Sequence, residues 1–454
     1  MNVTVIGTGY VGLVSGACLA AVGHRVICVD KAAEKIEMLD AGRMPIYEPG
    51  LAEVVADNVK AGRLAFTTDL PAAAQDADIV MIAVGTPTRK LDGNADLTYV
   101  YAAAEEVGRA LDHYAVIVTK STVPAGTGFE VQRIVSTANP TLEFDIASNP
   151  EFLREGNAIF DFMKPDRIVV GTVTERAREA MRTLYQPFSD EGVELILTDI
   201  VSSELIKYAA NTFLATKVSF INEVADLCEK VGGDIQDVAR GMGSDRRIGH
   251  AFLKPGPGYG GSCFPKDTLA MVHIGERALS PATIVEAVIS VNRSRTHRMM
   301  AKVMAAAGGN LRDRRIALLG LTFKPETDDV RDSVAILLAE LLVQAGAHVV
   351  AYDPQGAAQT RLVIGDAVEY AESADAALDD ADLCIIATDW AEFQERPVAD
   401  YRQRLRHPVM VDLRNVFSLA EMAEHGFAYH SVGRKSVEEY TAHLETEVPL
   451  RRAV

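Results

Sequence analysis

A strand that runs into Gly7-Thr8-Gly9-Tyr10-Val11-Gly12 and then into a helical pattern constrains this chain more than anything else in it. Asn2–Ile6 reads as an apolar strand, Val11–Val22 has helical spacing, and Arg25–Val29 is a second strand that ends at Asp30. The three glycines have separate duties in such a turn. The first reverses the backbone, the second admits a close ligand, and the third lets helix and strand pack tightly. The helix N-terminus offers N–H groups to an anion such as a pyrophosphate. With an acid after the second strand, placed for ribose hydroxyls, Gly7, Gly9, Tyr10, Val11, Gly12 and Asp30 read as a dinucleotide site. Asp30 disfavours a 2′-phosphate, so NAD is the expected cofactor even with Lys31 and Lys35 nearby.

The alternation continues, with strands expected at Ile79–Val84, Val116–Thr119 and Phe144–Ala147 and a helix at Leu97–Leu111. Such alternation builds parallel βαβ units. From Ser203 to about Val231 the apolar spacing is helical without a break, and Gly308-Gly309-Asn310 interrupts the chain further on. Strands return at Arg315–Leu319, His348–Tyr352, Leu383–Ala387 and Val409–Leu413. The two strand-rich halves are alike: Ala21–Asp30 parallels Gln344–Asp353, and Asp76–Val80 parallels Asp380–Cys384, a likeness βαβ units share in general. The expected architecture is α/β: two Rossmann-like parallel-sheet domains joined by a helical domain with a long central helix. The expected divisions are 1–200, 201–300 and 301–454, with a cleft faced by strand C-termini.

A chain of 454 residues, nearly half hydrophobic, has room for these cores. Its net charge of −18 argues against a generic nucleic-acid or acidic-membrane surface, so a phosphate-bearing ligand must meet local cations or backbone N–H groups. No apolar run approaches the ~20 residues of a membrane helix. The chain enters a strand at Met1, which predicts no signal peptide. Five scattered cysteines without a CxxC pair suit a reducing cytoplasm. Histidines show no ligand spacing, and no metal is expected.

The cysteine that stands apart is in Gly258-Tyr259-Gly260-Gly261-Ser262-Cys263-Phe264-Pro265-Lys266-Asp267. Pro265 suits the first turn of a helix. Cys263 would then face that helix's N-terminus, where partial positive charge favours a thiolate, and Lys266 would add to the effect. Cys18, Cys28 and Cys384 read as core, and Cys228 lies in a helical stretch among charges. Asp267, four residues on, can orient a water or simply be a first-turn acid. Lys207 and Asn211, four apart on the long helix, can polarise a hydroxyl or steady an alkoxide; a snorkelling lysine is the plainer reading. Glu151 and Glu155, four apart, are expected to share a face of a helical turn, where carboxylates can hold a water or a substrate hydroxyl; solvated helix charges are the plainer reading. Thr86 and Thr122 follow strand ends, at cofactor height or as helix caps. Lys324 and Arg331 lie in Gly320–Ser333, where they suit a phosphate unless Arg331 only pairs with its aspartates.

Taken together, these motifs resemble the UDP-glucose/GDP-mannose dehydrogenase family, in order from Gly7 through Arg331. Asn149–Gly156, Pro165–Val169, Gly258–Asp267 and Gly320–Ser333 are specific in combination. The resemblance implies oxidation of a sugar C6 alcohol to a carboxylate with two NAD, through a thiohemiacetal and a thioester on Cys263. It places Lys207, Asn211 and Asp267 around the reacting carbon, with Glu151 as the acid/base of thioester hydrolysis. Thr122, Glu155, Lys35, Thr86, Lys266 and Arg331 match cofactor contacts. Phe252-Leu253-Lys254-Pro255-Gly256 matches the loop that cradles the nucleotide sugar. Glu151, Phe152, Leu153, Arg154 and Glu155 match substrate positions, as do Tyr259, Gly260, Phe323 and Lys324. Arg247 matches an arginine that reaches the neighbouring subunit's substrate, which implies a homodimer built on the long helix. By resemblance alone, Tyr259 and Phe264 in the cysteine motif favour UDP-glucose as substrate over GDP-mannose or UDP-N-acetylmannosamine. The chain departs from the commoner pattern at Lys254-Pro255 and Pro257. A β-hydroxyacid dehydrogenase would not need Cys263 or the second half, and a non-catalytic sensor would not need every reactive side chain.

Overall fold

The computed structural model describes residues 1–89 and 93–441. Residues 442–454 of the expected third domain lie outside the described residues. The chain divides into two compact units: Met1–Ala210 with Leu269–Pro281, and Asn211–Thr268 with the chain from Ala282 onward.

In the first unit, strands β1 (Asn2–Ile6), β2 (Arg25–Val29), β3 (Leu64–Thr67), β4 (Ile79–Ile82), β5 (Ala115–Thr119), β6 (Phe144–Ser148), β7 (Arg167–Thr172) and β8 (Glu194–Thr198) form one sheet. Its order is β3-β2-β1-β4-β5-β6-β7-β8. Neighbours are parallel except β6 and β7, which pair antiparallel through Ala147–Thr172 and Ser148–Gly171. Helices cover both faces, so the strands alternate between two cores instead of between core and solvent. Val3, Val5, Ile79, Met81, Val116 and Val118 enter one core. Ile6, Val80, Ile82, Ala115 and Ile117 enter the other.

The second unit repeats the pattern with β9 (Arg315–Leu319), β10 (His348–Tyr352), β11 (Glu369–Tyr370), β12 (Leu383–Ile386), β13 (Val409–Asp412) and β14 (Ala428–Ser431). They are ordered β11-β10-β9-β12-β13-β14. Ile316, Leu318, Val349 and Ile385 face one core, and Ala317, Leu319, Val350 and Ile386 the other. The likeness of the halves therefore extends to strand order. The turn after β9 is nonetheless closed on itself. Asp353, after β10, accepts the Leu321 and Thr322 N–H groups at 2.7 and 3.0 Å and the Trp390 indole N–H at 3.1 Å.

The unbroken helical spacing is one helix, Ile200–Val231, which carries Lys207 and Asn211 one turn apart. Two further long helices follow, Phe264–Arg277 and Thr283–Ala306.

Candidate active site

The fingerprint glycines of the first unit differ as the sequence predicts. Gly7 has φ +104°, and a Cβ on it would come within 2.6 Å of the Ala83 carbonyl oxygen. On Gly12 a Cβ would lie 1.9 Å from the Gly7 carbonyl oxygen. On Gly9 it would meet nothing within 4 Å. That open position lies at the N-terminus of the helix Tyr10–Ala21, so the turn fits a pyrophosphate. Asp30 accepts the Thr8 N–H and hydroxyl, both at 2.8 Å, and the Ala32 N–H at 3.0 Å, with Lys35 Nζ at 3.5 Å. Burial opposes its ionisation, but these donors outweigh it and hold the carboxyl below its usual range. Thr86 is buried and donates to the Thr122 carbonyl at 3.0 Å, which joins the ends of β4 and β5.

Glu151 and Lys207 form a buried pair at 2.9 Å, and the second Glu151 oxygen accepts the Leu153 N–H at 2.6 Å. Burial raises the Glu151 carboxyl, but Lys207, the Leu153 N–H and Lys120 together bring it below the usual range. Lys120 had drawn no attention in the sequence. It is buried at the end of β5, bonded to Asn149 Oδ1 at 3.0 Å, and desolvation pushes its ammonium down to about 8. A lysine closing an apolar strand, just before Ser121-Thr122, was the available signal.

The expected helical turn over Glu151 and Glu155 is not there. Residues 151–154 have no regular structure, and a helix begins only at Ala158. Glu151 folds back on its own Leu153 N–H, while Glu48, from the chain before Leu51, takes the Gly156 and Ala158 N–H groups at 2.7 Å each. Glu48 also accepts the Tyr10 hydroxyl, so one buried carboxylate ties the fingerprint helix to this segment. Sequence reasoning missed it. Arg154 is paired with Asp161 at 2.6 Å, and Phe152 is stacked by Arg167 at 3.7 Å.

In the second unit, Cys263 immediately precedes the helix Phe264–Arg277, whose first-turn bond runs from Asp267 N–H to the Cys263 carbonyl at 2.8 Å. It is half-buried, while the other four cysteines are buried. Its sulfur lies 3.5 Å from Ser262 Oγ. Asp267 is fully buried, held by Asn211 Nδ2 at 2.6 Å and by Lys266. The glycines before the thiol are steric necessities. A Cβ on Gly260 would lie 2.2 Å from the Asp332 carbonyl oxygen, and one on Gly261 (φ +82°) would lie 2.6 Å from the Phe323 ring. Gly261 N–H donates to the Arg331 carbonyl at 2.8 Å. Two motifs far apart in sequence are thus one packed structure.

Phe252 holds φ +62°, a backbone conformation rare for a bulky side chain. Leu253 is buried, and Lys254 pairs with Asp389 at 2.6 Å. Gly256 is bonded through both its N–H and its carbonyl. Lys324 Nζ lies 5.4 Å from the Phe323 ring. The Arg331 guanidinium bonds Asp329 at 2.8 Å. Arg247 is exposed and bonds Asp245 at 2.6 Å. Arg414, a further residue the sequence did not suggest, bonds the Ala387 and Phe323 carbonyls at 2.7 and 2.8 Å. Among the described residues, no group of three or more His, Cys, Asp or Glu side chains gathers as a metal site would.

Residues 1–189 match the NAD binding domain of the UDP-glucose/GDP-mannose dehydrogenase family, 201–294 its central domain and 317–419 its UDP binding domain. The chain belongs to the UDP-glucose/GDP-mannose dehydrogenase family. It is similar to a UDP-glucose 6-dehydrogenase of Rhizobium meliloti, at 53% identity over 96% of this chain and 100% of that one. Among solved structures it is similar to a UDP-glucose dehydrogenase from Pyrobaculum islandicum, with TM-score 0.88 and 41% identity over 95% and 97% of the two chains. It is also similar to a UDP-D-ManNAc dehydrogenase from Pyrococcus horikoshii, with TM-score 0.83 and 26% identity over 96% and 99%. The protein is an NAD-dependent dehydrogenase with a UDP binding domain. No helix among its described residues is long and apolar enough to cross a membrane.

Proposed function

We propose that the protein oxidises the C6 hydroxyl of UDP-glucose to the carboxylate of UDP-glucuronate, consuming two NAD per sugar, with the half-oxidised carbon held on Cys263. Cys263 carries the reading: it is the least buried of five cysteines, set at a helix N-terminus with the Asn211–Asp267–Lys266 group one turn on. The relatives named UDP-glucose 6-dehydrogenase support the sugar.

NAD, bound at Gly7, Gly9 and Gly12 with Asp30 at the ribose, supplies the hydride acceptor for both oxidations. The remaining cofactor contacts are assigned to Tyr10, Val11, Lys35, Thr86, Thr122, Glu155, Lys266 and Arg331. The C6 alcohol first loses a hydride and its hydroxyl proton, leaving an aldehyde. The Cys263 thiolate adds to that carbonyl, forming a C–S bond, and the oxygen takes a proton. Lys207 and Asn211 steady the oxygen as charge develops. The thiohemiacetal then loses a second hydride and its hydroxyl proton to become a thioester. Water, positioned by Asp267 and deprotonated by Glu151, attacks C6; the C–S bond breaks, and thiolate and carboxylic acid separate. Capture on sulfur divides a four-electron oxidation into accessible steps.

The nucleotide sugar is assigned to the 252–260 loop and to Phe323 and Lys324, with Arg247 supplied by a second copy. The divisions 1–200, 201–300 and 301–454 are proposed as cofactor, dimerisation and nucleotide-sugar parts. Five scattered cysteines without a CxxC pair support a cytoplasmic location, where the product would supply polysaccharide synthesis.

The test counts NADH per sugar across UDP-glucose, GDP-mannose and UDP-N-acetylmannosamine. The expected result is a ratio of about two with UDP-glucose preferred. A ratio near one with free aldehyde accumulating overturns the thioester route. Cys263→Ala is expected to abolish acid production while nucleotide binding remains.

A further inference from the structure

The chain from Phe252 to Ser262 enters Cys263 without regular secondary structure, so its backbone polar groups need other partners. Two helices of the same unit supply several of them. Gly256 N–H donates to Asn222 Oδ1 at 2.8 Å, and the Gly256 carbonyl accepts from Arg295 Nε at 3.0 Å. Three residues on, Tyr259 N–H donates to Asn292 Oδ1 at 2.9 Å, and Asn292 Nδ2 donates to the Tyr259 carbonyl at 2.9 Å. One carboxamide thus satisfies both backbone groups of one residue, as a neighbouring strand would, and fixes both the position and the rotation of that backbone.

The glycine between these contacts is explained by the same amide. Gly258 has φ +130°, and a Cβ on it would lie 2.8 Å from Asn292 Oδ1. The Tyr259 ring is buried edge-on against Phe264, centroids 5.9 Å apart, and Phe264 adjoins the thiol. Asn292 and Arg295 are three apart on the helix Thr283–Ala306 and share a face. Arg295 is itself buried and anchored on Asp226.

We propose that Asn292 is a positioning residue for Cys263: its carboxamide clamps Tyr259, four residues ahead of the thiol, and so sets where the sulfur stands at the helix N-terminus. This rests on the thiol chemistry proposed above. Asn292 touches neither substrate nor cofactor in this reading and acts only through the turn.

The test compares Asn292→Ala and Asn292→Asp with the parent. The aspartate keeps an acceptor for Tyr259 N–H but sets an oxygen against the Tyr259 carbonyl. Three quantities are measured on folded protein: steady-state kinetics, thermal midpoint, and the rate at which iodoacetamide alkylates Cys263, read by peptide mass spectrometry. The alanine variant is expected to lose roughly tenfold to a hundredfold in kcat. KM for NAD should be unchanged, and Cys263 alkylation should slow severalfold. The aspartate variant should fall between parent and alanine; if the alanine protein does not fold, the aspartate variant decides alone. Parental kcat and alkylation rate overturn the proposal, as does a lowered thermal midpoint with parental alkylation in the folded fraction. Failure of the thioester route is read separately, from acid production by Cys263→Ala. The alkylation rate reports the position of the sulfur whatever that sulfur does.

Discussion

Lys207, Glu151 and Lys120 put three ionisable groups in one buried region of the first unit. A buried pair is weak evidence for stability, but losing one partner strands the other charge. Lys207→Met is therefore expected to cost about 3 kcal/mol, the low end for a broken buried pair because Lys120 still faces Glu151. Denaturant unfolding measures it. Adding Glu151→Gln should return part of the loss, because the stranded charge goes with it; a purely additive double variant would contradict the coupling. The fingerprint glycines allow a second separation at this scale. Gly9→Ala has open space for its methyl, whereas Gly12→Ala drives a Cβ into the Gly7 carbonyl. Gly9→Ala is expected to keep its thermal midpoint while KM for NAD rises about tenfold or more, as a methyl displaces a closely approaching pyrophosphate. Gly12→Ala is expected to lose stability itself. Equal effects of the two on stability would remove the cofactor reading of Gly9.

At the scale of elements, the helix Thr127–Ala138 is capped from a distance. Glu204 accepts the Gly126 and Gly128 N–H groups at 2.5 and 2.7 Å. Burial pushes its carboxyl up to about 7, against the pull of those backbone donors. The folded carboxyl thus keeps its proton to a higher pH than the unfolded one. Its favourable contribution is full below the unfolded pKa of about 4.3 and is lost as pH rises through about 7. Unfolding midpoints should therefore fall between pH 5 and 8 in the parent by more than in Glu204→Gln; parallel curves would refute the assignment. The same elements show why parts of the molecule were legible and others not. Strands such as Ile79–Ile82 and Arg315–Leu319 are short apolar runs buried on both faces, so their composition reveals them. The fingerprint is legible because its glycine spacing follows from local sterics. The segment after Asn149 departs from the helical turn its spacing suggests because its shape depends on Glu48, 108 residues before Gly156. The Cys263 turn is likewise set by Phe323, Asp332 and Asn292, contacts that no local window contains.

At the scale of the whole molecule, the helix Ile200–Val231 leaves an apolar row uncovered. Phe213, Phe220 and Leu227 recur every seven residues and are 66%, 50% and 58% exposed. Residues seven apart fall on one face of a helix, and we propose this row as a seam for the same helix of a second copy. Phe220→Asp would place a charge in that seam and is expected to shift the protein to monomer in sedimentation. The role proposed for Arg247 can be separated from assembly by mixing. Arg247→Ala and Cys263→Ala should each form inactive homodimers. After co-refolding, a mixed dimer would hold one site with its own Cys263 and its partner copy's arginine. Statistical reassembly should then restore about a quarter of the parental activity. If Arg247 serves the site of its own chain, no site in the mixed dimer is whole and mixing restores nothing; the seam could then still join two copies, but the active site would belong to one chain.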